Sequence, residues 1–310
     1  MPGGGAGPRA AKTSTASGRA AVRAQRRARL AEVVRQFAAH RSGVVGAVLL
    51  LVIIALAVLA PLLLPFDRLD VTRVTAGANE PPSGGHWLGT DPSGRDVLGV
   101  LLWGSRASLL VGFAATAVSM VIGTVMGMAA GHFEGLTRSV LLRIIDFFLV
   151  VPSLILAIVL STVLSRGLTT IILAIGVTSW AATARVVRAQ TLTIEARPYI
   201  ERARALGAGD GRILGKHVFP AVLPIVLANT TLTVGAAIIA ESTLSFLGLG
   251  DATTFSWGSM LKIALDTGAA TAGYWWFVLT PGIAIVVVVL CFTLVGRALE
   301  AVLNPTLRSL

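Results

Sequence analysis

Six apolar stretches dominate this chain, each long enough to cross about 30 Å of hydrocarbon at roughly 1.5 Å of rise per residue. They run from Val44 to Leu64, Ala107 to Ala130, Ile144 to Leu164, Thr169 to Val187, Ala221 to Ala240 and Trp275 to Gly296. The expected fold is therefore an all-α membrane protein with six transmembrane helices. The fourth stretch is the least apolar, because it carries Thr178, Ser179 and Thr183. Composition agrees: 55% of the residues are hydrophobic, 13% are charged, and the mean hydropathy is +0.80. A soluble domain carries about 25% charged residues, so this chain has too few to cover a water-facing surface. The single cysteine, Cys291, lies in an apolar run, where it reads as a small filler facing lipid or a neighbouring helix.

The charge is unevenly placed. The net charge is +11, and the first 41 residues hold nine basic residues against one acid, Glu32. Residues 1–42 therefore read as a basic, largely disordered tail, with Ala21 to His40 able to form a helix, ahead of a membrane domain over 43–310. Its expected roles are to fix topology and to touch anionic membrane lipid. No aromatic residue interleaves the arginines before Phe37, which argues against nucleic acid. The charged region is too long for a cleavable signal, and the apolar stretch behind it spans a bilayer. With the N-terminus inside, the alternate connections and both ends hold 20 of the 26 Lys and Arg residues. The positive-inside rule then places both termini in the cytoplasm.

Two connections are long. The outside loop, 65–106, carries five acids and four arginines, and the cytoplasmic loop covers 188–220. In the latter, Pro198 suits a first helical position, with Arg197 held extended before it. Glu201 falls near the helix N-terminus, and Gly207 stands where a left-handed cap is wanted. Asp210 is placed to cap a second short helix over Gly211 to Val218, ended by Pro220. Ile200, Ala203 and Gly207 share one face of the first helix, while Arg202 and Arg204 point elsewhere, free for a partner's carboxylates or lipid head groups. Physics alone allows this segment to be an amphipathic helix lying on the membrane surface.

The run Glu201-Arg202-Ala203, three residues, Gly207, nine residues, and a stretch ending at Pro220 resembles the EAA motif of binding-protein-dependent ABC importer permeases. Arg202, His217 and Phe219 depart from its usual residues. The outside stretch from His86 to Asp91 with Gly94-Arg95-Asp96 is similar to the HPLGTD–GRD signature of the C-type permease of dipeptide and oligopeptide importers. Arg143, Asp146 and Pro152, the segment from Glu241 to Gly250, Trp257-Gly258, Trp275-Trp276 and Pro281-Gly282 extend the likeness in order. Gly296-Arg297-Ala298 and Asn304-Pro305 replace the family's usual ending.

The resemblance implies the type I ABC importer permease fold and a coupling helix that docks on a cytoplasmic ATPase, here Tyr199, Ile200, Glu201, Ala203, Gly207, Ala208 and Asp210. It implies cytoplasmic ABC ATPase subunits that use ATP and magnesium, an extracytoplasmic peptide-binding protein, and a second homologous permease in a heterodimer. No cofactor is expected on this chain. No phosphate-binding loop, catalytic Ser-His-Asp order or metal-ligand spacing appears, so the chain reads as non-enzymatic. The same fold serving nickel or another small solute remains open, as does a secondary transporter or membrane scaffold.

Other residues carry local expectations. Thr90, Asp91, Gly94 and Asp96 suit a turn that caps a following surface helix, and a metal site from His86, Asp91 and Asp96 is an alternative. Trp87, Trp103, Trp257, Trp275 and Trp276 suit an outer aromatic belt. Gly123, Gly127 and Gly131 form a ridge for helix packing. Arg143 is the expected partner of Asp146, one turn away. Asn229, Thr230 and Thr233 either line a translocation path or hydrogen-bond between helices. Glu241 lies in a gate region or at the interface.

Overall fold

The computed structural model describes residues 31–251 and 253–303, and no β-strand occurs among them. Helix α1 covers 31–39, the described part of the segment expected to be helical; residues 21–30 and Asn304-Pro305 lie outside the described residues. Then come α2 (Arg41–Leu63), α3 (Val97–His132), α4 (Gly135–Val150), α5 (Ser153–Val163), α6 (Leu168–Thr178) and α7 (Ala181–Glu195). The short α8 (Pro198–Ala205) and α9 (Asp210–Ile213) lead through a π turn (Leu214–Val218) into α10 (Phe219–Phe246). Helices α11 (Trp257–Asp266) and α12 (Trp275–Leu303) close the chain.

Four helical units are long and apolar enough to cross a membrane unbroken: α2, α3, the continuous run Asp210–Phe246, and α12. The third and fourth expected spans are each broken, so the count is six only if each bent pair is one span. Between α4 and α5 the axis turns by 88°. Pro152 causes this: it lacks an N–H, and its ring holds Val151 in an extended conformation. Between α6 and α7 the bend is 42°. No proline stands there, but the Thr178 hydroxyl donates back to the Ala174 carbonyl at 2.8 Å, a bond that competes with the helix ladder.

Helix α3 is the central post, packed on α7, α10 and α6, while α12 lies against α10 and α2. The ridge behaves as expected from its spacing. A Cβ on Gly123, Gly127 or Gly131 would stand 2.8 Å from the Trp180 carbonyl, 2.5 Å from the Ala184 carbonyl, or 2.7 Å from Thr191 Cβ. Backbone-to-backbone contact therefore seats α7 on α3. Helix α2 instead leaves Leu51, Val58 and Leu62 exposed, a surface suited to lipid. Cys291 is buried, as a filler should be.

Several expectations need correction. Helix α3 begins at Val97, not Ala107; Asp96 caps it by accepting from the Gly99 N–H at 2.9 Å, so the cap serves the long span rather than a surface helix. Asp91 is buried and bound by Arg95 at 2.6 Å, and Asp96 faces His86 at 3.3 Å. Trp87 and Trp275 are exposed as a belt requires, but Trp257 and Trp276 are buried in the core beside Val97, Met260 and Phe277. Asp146 pairs with Arg185 on α7 at 3.0 Å, because α4 turns that face towards α7 rather than along its own axis. Pro220 does not end a helix. The wide π turn just before it relaxes the backbone where its ring would meet the preceding turn, and the helix runs on into α10.

Candidate coupling and translocation sites

The cytoplasmic loop folds as its prolines and glycines dictate. Pro198 occupies the first turn of α8, Arg197 before it is extended, and Gly207 takes φ +83°. The Ala208 N–H then donates to the Ala203 carbonyl at 3.0 Å, closing the helix end. Ile200 is completely buried, in a cluster with Val187, Ile194, Ile213, Val218 and Val222. It anchors α8 rather than forming part of its outer surface. Tyr199, Glu201, Arg202 and Gly207 are exposed, Ala203 and Ala208 are half-buried, and Leu206 is 88% exposed. Nothing lies within 4 Å of where a Gly207 side chain would begin. The loop thus presents an open, mixed apolar and charged surface held from below by one isoleucine.

A charged clasp fixes its two ends. His132 Nδ1, at the end of α3, lies 2.5 Å from Glu195 Oε1 at the end of α7, and the other Glu195 oxygen accepts from Arg204 of α8. His132 Nε2 stands 3.3 Å from Asp210 Oδ1. Asp210 lies in the first turn of α9 and makes no side-chain cap, against expectation; Gly209 holds that position. Arg204 is likewise engaged within the chain rather than free for a partner. In the sequence His132 lies just past the second apolar stretch and Glu195 inside the cytoplasmic loop, 63 positions apart, with no local pattern to join them.

Polar groups in the spans gather at the helix breaks. Asn229 Nδ2 donates to Thr183 Oγ1 at 3.0 Å, a bond between α10 and α7. Thr230 and Thr233 donate to backbone carbonyls of their own helix, Val226 and Asn229. Asn229 and Thr233 line a cleft of about 410 Å³ with Pro152, Ser153, Thr178 and Ser179, and Thr233 also lines an adjoining one with Thr116 and Ser119. Glu241 lies apart from both and is fully buried. Its carboxylate accepts from Ser108 and Ser245 at 2.8 Å each, and Ser108 in turn accepts from the Trp257 N–H at 3.2 Å. Glu241 therefore ties α3, α10 and the start of α11 together inside this chain.

This arrangement of crossing helices and a protruding loop has relatives. Residues 119–309 match the binding-protein-dependent transport system inner membrane component family. The chain belongs to that family. Residues 29–82 match the N-terminal TM domain of oligopeptide transport permease C, which covers part of the tail and α2. The oligopeptide transport system permease protein OppC of Bacillus subtilis is 38% identical over 280 residues, 89% of this chain and 90% of that protein. The dipeptide transport system permease protein DppC of the same organism is 38% identical over 88% of this chain and 85% of its own length. The glutathione transport system permease protein GsiD of Pectobacterium atrosepticum is 36% identical over 90% of this chain and 91% of its own. A chain of the MetNI methionine ABC transporter superposes with a TM-score of 0.51 at 23% identity, over 66% of this chain and 96% of that one. The permease family's fold thus agrees with the helix order described above.

Proposed function

We propose that this chain is the membrane-spanning subunit of an ATP-driven importer that carries dipeptides or oligopeptides into a bacterial cytoplasm by alternating access. The observation that carries this reading is near full-length similarity to permeases named for peptides, joined to an exposed loop helix built on the family's motif. Each bent pair counts as one span, giving six, and the distribution of basic residues supports placing both termini in the cytoplasm. On this reading 1–42 is a basic tail, 43–310 is the permease domain, 65–106 faces outside and 188–220 is the coupling loop.

The chain catalyses nothing itself. ATP and magnesium are used by separate ATPase subunits that dock on Tyr199, Glu201, Ala203, Gly207 and Ala208, with Ile200 and Asp210 holding that surface in place. A second homologous permease forms the other half of the pathway, and an extracytoplasmic binding protein delivers the peptide. Asn229, Thr230 and Thr233 are assigned to the pathway wall, and Glu241 to the outer gate as the post that locks α11.

The test uses the reconstituted complex. Gly207→Asn tolerates the left-handed backbone and only adds a side chain to open space, whereas Gly207→Val adds strain as well. Both should insert normally and lose transport-coupled ATP hydrolysis; unchanged uptake in Gly207→Asn removes the docking assignment. Uptake of defined short peptides against nickel in a deletion strain checks the cargo. Loss of nickel uptake alone would sink the peptide reading.

A further inference from the structure

The break between α4 and α5 leaves a helix N-terminus with no side-chain cap. Pro152 occupies the cap position and offers no hydroxyl or carboxylate, so the first amides of α5 have no partner supplied from that residue. Ser153 and Leu154, the first two residues of α5, line a cleft whose other walls include Thr116 and Ser119 of α3, Thr178 of α6 and Thr233 of α10. Thr116 and Ser119 fall halfway along the 36 residues of α3, so the cleft lies near the middle of the spans. Free amides at that depth are costly in hydrocarbon and are found where the backbone meets protein or a water-filled cavity.

A second observation points the same way. Thr116 and Ser119 are each only 1% exposed, and both hydroxyls are without a hydrogen-bond partner. Buried hydroxyls are ordinarily satisfied, so two unpaired ones in the wall of one cleft mark a place where a polar group belongs. The hydroxyls of Thr178 and Thr233 are already donating to backbone carbonyls, which leaves the hydroxyls of Thr116, Ser119, Ser153 and Ser179 and the α5 amides as the donors. No acid or basic side chain lines the cleft. Hydroxyls and amides that can donate, beside the positive end of a helix and with no carboxylate to repel a negative charge, favour an oxygen anion.

Resting on the peptide-import reading, we propose that this cleft holds the C-terminal carboxylate of the peptide in transit, bound by the α5 N-terminal amides and the Thr116 and Ser119 hydroxyls. The cleft then serves as a stepping point at which the charged end of the substrate exchanges water for fixed donors. It also disfavours free cations, since the same field that attracts the carboxylate repels them.

The experiment uses the full complex in membranes with Cys291→Ser as background. Ser119→Cys and, separately, Thr116→Cys are exposed to anionic and cationic methanethiosulfonates, without nucleotide and with ATP trapped, and rates are normalised to free cysteine. Modification in at least one state, with the anionic reagent roughly tenfold faster, is expected from a helix N-terminus acting on both signs of charge. Two variants on different turns of α3 guard against one failing to fold, and membrane insertion is read by co-purification of the partners. No modification in either state, or equal rates for the two reagents, overturns the proposal: the cleft is then dry, or holds only water. A second arm replaces Ser153. Ser153→Asp puts a carboxylate in the site and should lower peptide uptake at least tenfold below that of Ser153→Asn, which has nearly the same size and no charge; equal uptake in the two overturns the assignment. If the unsubstituted complex imports no peptide, the functional reading fails by itself, whatever the reagent rates show.

Discussion

Replacing Gly127 with alanine tests how firmly α7 is seated on α3. A methyl group there would lie 2.5 Å from the Ala184 carbonyl oxygen and 2.8 Å from Val187 Cβ. Carbon-to-oxygen contacts across helix interfaces sit at about 3.3 Å or more, so the two backbones must part by roughly 0.8 Å. Overpacking of this kind costs about 1–3 kcal/mol. The obstacle is a carbonyl on a helix rather than the tip of a flexible side chain, which argues for the upper part of that range. Gly282→Ala is the control, since nothing lies within 4 Å of its added carbon and alanine is the better helix former. Thermal unfolding of the purified complex, with insertion checked by fractionation, should show Gly127→Ala clearly less stable and Gly282→Ala unchanged or slightly better. Equal stability of Gly127→Ala and the parent would refute the claim that backbone contact seats these helices.

Two further outcomes follow from the loop. Ile200→Ala removes the buried anchor of α8 and should cost about 2–5 kcal/mol locally; the subunit should insert yet lose ATPase co-purification, whereas Tyr199→Ala, on the exposed face, should weaken association without altering protease sensitivity of the loop. Glu195→Ala removes the carboxylate shared by His132 and Arg204 and leaves His132 only Asp210, so the loop should become protease-sensitive. Glu195→Gln, which keeps the shape and one acceptor, should lose less in the same assay.

The parts of the fold that could be read in advance are those set by one or two adjacent residues. Pro198 and Gly207 bracket α8 because each dictates its own φ, and the Gly123-Gly127-Gly131 ridge is visible because helical spacing alone puts the three on one face. What depends on another helix was hidden. Arg143 sits one turn from Asp146 in sequence, but the partner is Arg185, which approaches only once Pro152 has turned the chain. Trp257 and Trp276 have the composition of an interface belt and a core location that only packing decides. The clasp of His132, Glu195, Arg204 and Asp210 draws on four elements, so no local pattern announces it. Thr116 and Ser119 carry no sequence signal; their significance is that neither hydroxyl finds a partner, which only the folded chain reveals.

The ridge and the clasp together make a mechanical argument. Helix α7 has its upper end at the α6 break, beside the clefts, and its lower end at Glu195, beside α8. Between those ends it is pinned to α3 along three glycines, and packed elements of this kind shift as units rather than deform. A displacement of the loop would then reach the cleft as a movement of the α3–α7 pair, with α4 and α5 yielding at Pro152. If so, loosening the ridge and cutting the clasp damage one transmission route, and their effects on transport per ATP should overlap. The double variant Gly127→Ala with Glu195→Gln should fall short of the summed single losses by about 0.5–3 kcal/mol in coupling free energy. Strict additivity would place the two features on separate routes and defeat the rigid-pair account, even if each single variant behaves as expected.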